Sequence, residues 1–148
     1  SVLQIKQSLS RLSAKEQREI QIYLHQLRRR TPAWKKATAK RIAEVKSGKF
    51  ATMDQLEAIS AVVSRSGYEA VYASAAIDFF VGLSKRSQRK LLDRTHELAA
   101  DPFLVPDFHS QDSTGRDISH FMADGFVFDF WVDHAAKQVI VTCVDYVE

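Results

Sequence analysis

Residues 126–133, Phe-Val-Phe-Asp-Phe-Trp-Val-Asp, alternate strictly. Phe126, Phe128, Phe130 and Val132 fall on one side of an extended chain, and Val127, Asp129, Trp131 and Asp133 on the other. A second apolar run, Val139-Ile-Val-Thr-Cys143, follows a short polar turn that includes His134. The pair predicts a β-hairpin whose phenylalanine side is packed against other elements. Its other side carries two carboxylates and a tryptophan but no Lys or Arg. The function of the chain turns on what that second side meets.

Charge is divided along the 148 residues. Residues 1–63 hold thirteen Lys/Arg against five Asp/Glu, a net of +8, while residues 64–148 hold eight against thirteen, a net of −5. Such asymmetry points to two units with different partners, and opposite signs favour their docking on each other. With 45% hydrophobic residues the chain can bury a core. No apolar run approaches the length of about eighteen residues that a membrane helix needs, and residues 1–10 lack a signal-peptide pattern. Cys143 is the only cysteine, so the expectation is a small buried hydrophobe in a cytoplasmic protein without internal disulfides. No cofactor or metal site is expected, and no contact with a membrane.

The first half reads as helical. Helices are predicted at about 2–10 and 14–29. The second opens on a capping box, Ser13-Ala-Lys-Glu16, and carries Ile20, Tyr23, Leu24 and Leu27 on one stripe. Thr31-Pro32 starts a third helix that runs to about 46–47 and stops at Gly48. Thr52-Met-Asp-Gln55 is a second capping box, opening a helix that includes Leu56 and Ile59, and residues 58–67 read as a linker. In the second half, 68–73 is a strand. Ser74 and Ser84 each cap a helix, the latter ending before Asp101-Pro102. Residues 101–117 read as a turn-rich loop, 118–122 as a middle strand, and then comes the hairpin. The predicted class is α+β, an all-helical first segment followed by a β-α-α-β-β-β domain with a mostly antiparallel sheet.

Several stretches resemble known proteins. Tyr68-Glu-Ala-Val-Tyr-Ala-Ser74, the helical pair, Ala100-Asp-Pro-Phe103 and Asp124 to Asp133 are similar to RelE/ParE-superfamily toxins. "LSAKEQREIQIYL" and "PAWKKATAKRIAEVKSGKFATMDQLEA" resemble the small helical antitoxins, RelB-like, of such toxins. The resemblance implies a toxin–antitoxin pair in one chain, with an antitoxin-like segment at 1–62 wrapping a toxin-like domain at 63–148. Val63-Ser64-Arg65 lies where a separate toxin would begin, which fits a natural or a constructed fusion. The resemblance implies that the helical half holds a growth-arresting toxin inactive. The target would be translated mRNA or, second, DNA gyrase.

Where RNA-cleaving relatives carry Arg, this chain has Val127 and Trp131, and His120 stands at another often-basic position. Endoribonuclease activity is therefore left open. Its candidate residues move to the sheet edge: His109, Arg116 and His120, suited to proton transfer and phosphate binding, with Tyr146 near the end of the last strand. The helical cluster Lys85, Arg86, Arg89, Lys90 and Arg94 is a candidate nucleic-acid contact. Trp34, Ile42 and Val45 are candidate anchors of the helical half on the toxin-like half, meeting Asp129 and Trp131. The basic band Arg28–Arg30, Lys35, Lys36, Lys40 and Arg41 fits operator DNA or the acidic half, and such antitoxins often form dimers. The alternative from another class is a non-catalytic binding module, a degenerate toxin fold that only recognises its helical partner.

Overall fold

The computed structural model describes residues 1–52 and 67–147. Five helices and six strands form among them. They are α1 (Val2–Ser10), α2 (Ala14–Arg28), α3 (Pro32–Lys46), β1 (Ala51–Thr52), β2 (Glu69–Tyr72), α4 (Ser74–Val81), α5 (Lys85–Ala100), β3 (Phe108–Gln111), β4 (Asp117–Ala123), β5 (Phe126–Asp133) and β6 (Gln138–Tyr146). The strands make one mixed sheet in the order β1-β2-β6-β5-β4-β3. Only β2 and β6 run parallel. The class is α+β.

Local chemistry accounts for the helix ends. The Ser13 hydroxyl accepts from the Glu16 N–H at 3.2 Å, and the Glu16 carboxylate accepts from the Ser13 N–H at 3.3 Å. Thr31 accepts from the Trp34 N–H at 3.2 Å, ahead of Pro32. Gly48 ends α3 at φ +97°, which lets the Lys49 N–H reach the Glu44 carbonyl at 2.9 Å. Asp124 and Gly125 both have positive φ, 54° and 81°, and form the tight turn between β4 and β5.

Four expectations need correction. Ser74 does not cap α4; Ala73 holds the cap position, because β2 runs straight into the helix and the Ala73 N–H is still bonded to Val141 of the sheet. Residues 101–117 are not all loop: β3 forms there, paired to β4 along the sheet edge. Its residues are polar apart from Phe108, so alternation does not reveal it. The first segment is not all helical, since β1 pairs antiparallel with β2 and covers that sheet edge. With β3, the second half has one strand more than the expected β-α-α-β-β-β order. The second capping box beyond Thr52, the helix with Leu56 and Ile59, and the 62/63 boundary lie outside the described residues.

The sheet is covered on both faces. On one, Phe126, Phe128 and Phe130 pack with Tyr72, Val139, Val141 and Val144 against Phe80, Leu91 and Leu98 of α4 and α5. On the other, Val71, Ile118 and Ile140 pack against Ile42 and Val45 of α3, with Trp34, Phe50 and Trp131 at the margin. A third cluster, Phe108, Met122 and Val127, meets Ile22 of α2. A β-bulge joins the two faces. Asp129 pairs with Cys143 while Phe130 pairs with Val141, so Thr142 is an extra residue in β6. This shift lets Val141 and Val144 both face α4 and α5, and Thr142 donates to the Asp129 carbonyl at 3.1 Å.

Candidate functional site

A chain of polar side chains crosses from α2 into the sheet. Arg29 closes the end of α2 and is only 4% exposed. Its Nε donates to Asp129 Oδ1 at 3.0 Å and its Nη2 to Oδ2 at 3.3 Å. The fork geometry suits a bidentate pair. Asp129 stands directly opposite His120 across the β4–β5 ladder, and Oδ1 lies 2.6 Å from His120 Nδ1. His120 Nε2 lies 2.5 Å from the Ser110 hydroxyl on β3. His120 is 0% exposed and Asp129 1%, whereas Ser110 is half-buried.

Protonation follows from these contacts. Burial would raise the Asp129 carboxyl, but the His120 hydrogen bond and the Arg29 charge outweigh it and hold the group below the usual carboxylate range. Burial drives the His120 pKa down despite Asp129. His120 is thus neutral at pH 7, and its one ring proton belongs on Nδ1, donated to the carboxylate. Nε2 is left as an acceptor, so Ser110 donates to it. Phe108 stacks on the His120 ring at 4.4 Å and Trp34 of α3 tilts over it at 5.8 Å. The Arg29 guanidinium lies 5.8 Å from the Phe108 ring and 6.0 Å from the Trp34 ring. His25, one turn before Arg29, donates from Nε2 to the Val147 carbonyl at 3.0 Å. Its pKa is lowered by burial and by Arg29.

A second polar group lies further along the same face. Lys46 bonds Asp133 at 3.0 Å and sits 5.3 Å over Trp131, which Arg116 also approaches at 5.0 Å. Arg116 is held by Asp112 at 3.2 Å. Asp112 in turn accepts from the Thr114 and Arg116 backbones at 2.8 and 3.0 Å.

The structure thus brings Trp34, Ile42, Val45, Asp129 and Trp131 onto one covered face. It places His120 at the centre, His109 exposed beside Ser110, and Arg116 against Trp131. It does not bring Tyr146 to this group: Tyr146 is 52% exposed and contacts Phe79 and Phe126 on the opposite side. The basic helix is separated as well. Lys85, Arg86, Arg89 and Lys90 are exposed on α5, whose leucines pack against the phenylalanine face. Arg94 is tied to Asp124 at 2.7 Å and to Glu97 at 2.8 Å. This helix packs on the phenylalanine face of the sheet, whereas His109, Arg116 and His120 lie along β3 and β4.

Three members of the site escape a sequence reading: Ser110, His25 and the pairing role of Arg29. Ser110 is on the unpredicted β3, and Arg29 is hidden within a run of three arginines. The Asp124-Gly125 turn is the signal that sets His120 opposite Asp129. An opening of about 170 Å³ reaches Ser110 from solvent, lined by Gln26, Arg29, Arg30, Lys35, His109 and Gln111. Among the described residues no group of three or more His, Cys, Asp or Glu is placed to hold a metal ion. No helix among them is long and apolar enough to cross a membrane. Burial pushes the Cys143 thiol up to about 11, which disfavours the nucleophilic thiolate.

Comparison with known proteins gives no match to a family model, to a curated protein or to a solved structure.

Proposed function

We propose that the chain is a toxin–antitoxin module in one molecule, in which α1–α3 neutralise a RelE/ParE-like growth-arresting domain built on the sheet. One observation carries this reading. Arg29 of the basic segment is buried in a bidentate pair with Asp129, on a sheet face that also packs apolar side chains. Burying two charges is costly, and apolar residues of similar size would hold the same layers together at least as well. A covered polar patch is thus better explained by what it does when uncovered. His120 supplies a base, and the basic residues near β3 suit an anionic target, which favours RNA over gyrase.

The second reading, a binding module without catalysis, draws on the hairpin. Val127 is fully buried and Trp131 is covered by Lys46 and Arg116, so neither position presents a cation to a phosphate. Growth separates the two. Induction of residues 64–148 alone stops growth under the first reading and leaves it unchanged under the second. Mapping transcript ends in arrested cells, beside a gyrase supercoiling assay, then identifies the target.

A further inference from the structure

We propose that Ser110 is a nucleophile activated by His120 and Asp129, and that the full chain hydrolyses small phosphodiesters at the opening beside β3. The inference stands on the geometry of this relay. It does not require that α1–α3 act as a neutraliser.

The three side chains form a continuous line. Ser110 and His120 are diagonal neighbours on one face of the β3–β4 pair, and His120 and Asp129 are direct partners in the β4–β5 pair. Sheet pairing therefore fixes all three, which is the rigidity that a reacting group requires. The separations are 2.5 Å from Ser110 Oγ to His120 Nε2 and 2.6 Å from His120 Nδ1 to Asp129. A serine hydroxyl is activated by an adjacent base that is itself oriented by a third group, and these roles are filled in that order. Phe108 and Trp34 close over the imidazole, so it cannot rotate away.

Access and charge identify the substrate class. Ser110 is the one member of the line that is half-buried rather than buried, and it lines the opening. Arg30 and Lys35 line it too, and among the described residues neither is in an ion pair. Lining the same opening as Ser110, they can offset charge that develops on a phosphoryl group there, and His109 adds a donor. The opening of about 170 Å³ has room for one phosphoryl group. Both halves of the chain contribute, with Arg30 and Lys35 from the helical half and His109 and Ser110 from the sheet.

The step balances without a further reactant. As the Ser110 Oγ–P bond forms, the hydroxyl proton moves to His120 Nε2, and the bond from phosphorus to the leaving oxygen breaks. That oxygen departs as an alcohol or phenol with the proton from Nε2. A water then gives a proton to Nε2 while its oxygen attacks phosphorus, the Oγ–P bond breaks, and Ser110 recovers its proton. The products are a phosphomonoester and an alcohol. Asp129 stays ionised throughout and holds the Nδ1 proton.

The test uses the full chain and bis(p-nitrophenyl) phosphate, which has no neighbouring hydroxyl and so cannot be cleaved by internal attack. The expected result is steady release of p-nitrophenolate, together with an organophosphorus adduct on Ser110 after treatment with a fluorophosphonate, read by peptide mass spectrometry. Ser110→Ala should remove the adduct and lower turnover at least about 100-fold. Arg30→Ala with Lys35→Ala should raise KM and leave the adduct site unchanged. A folded full chain with no turnover above buffer, turnover that survives Ser110→Ala, or an adduct elsewhere would each overturn the proposal. Growth assays on the neutraliser reading are read separately, so either idea can fail alone.

Discussion

The two faces of the sheet are both covered by helices but built differently. The face under α4 and α5 is aromatic and aliphatic, with Phe126, Phe128 and Phe130 in a row. The face under α2 and α3 has two apolar clusters, around Ile140 and around Val127, and a buried Arg29–Asp129–His120 line between them. Alternate residues of one strand, β5, supply both. The first face needs only volume and packing to hold the fold. The second places charges out of water, where each must be matched by a partner, so it is the face on which chemistry and recognition are to be sought.

Substitutions that treat the faces as equivalent should separate them. The largest effect is expected from Phe128→Ala, about 3–5 kcal/mol of global stability by urea unfolding, because a large core ring is lost on the largely apolar side. Arg29→Ala should cost on the order of 3 kcal/mol, since Asp129 is then buried without its charge partner. Asp129→Ala in the same chain should restore part of that loss. No such recovery is possible for Phe128, and equal behaviour of the two sites would break the comparison.

Acidification gives the next largest effect and acts on the polar face alone. The folded pKa values of His25 and His120 are lowered, in both cases mainly by burial. The unfolded chain, with histidine near the ordinary value of about 6.5, therefore binds more protons than the folded one. Stability should be full above that value and fall as pH drops through it, with both histidines contributing to the slope. His25→Gln should make the slope shallower. A flat stability profile between about pH 7 and 5 would contradict the burial of neutral imidazoles. The smallest effect is expected at Lys46→Ala. The Lys46–Asp133 pair is half-exposed on its lysine side and screened, so its loss should cost at most about 1 kcal/mol and become smaller at high salt.

How much of this is legible in the sequence follows from the same contrast. The phenylalanine face announces itself through alternation, and the helix ends through Ser13, Thr31 and Gly48. The strand β3 does not, because His109-Ser110-Gln111 lies at the sheet edge, where polar residues suffice. With β3 unread, Ser110 has no visible relation to His120. Arg29 looks like Arg28 and Arg30; only the end of α2 turns it inward while they remain exposed. The Asp124-Gly125 turn does carry the register that pairs His120 with Asp129. The covering of the hairpin by basic helices also follows from charge, since +8 and −5 halves have a reason to meet.

The central claim is that α2 and α3 cover a working surface. Its most direct measurement is growth on induction of the full chain carrying Trp34→Ala and Ile42→Ala, with amide exchange used to establish that the sheet stays folded while α2 and α3 loosen. The account predicts that growth stops, and that adding His120→Ala to the same chain restores it. Continued growth with the helices demonstrably loosened and the sheet intact would contradict it.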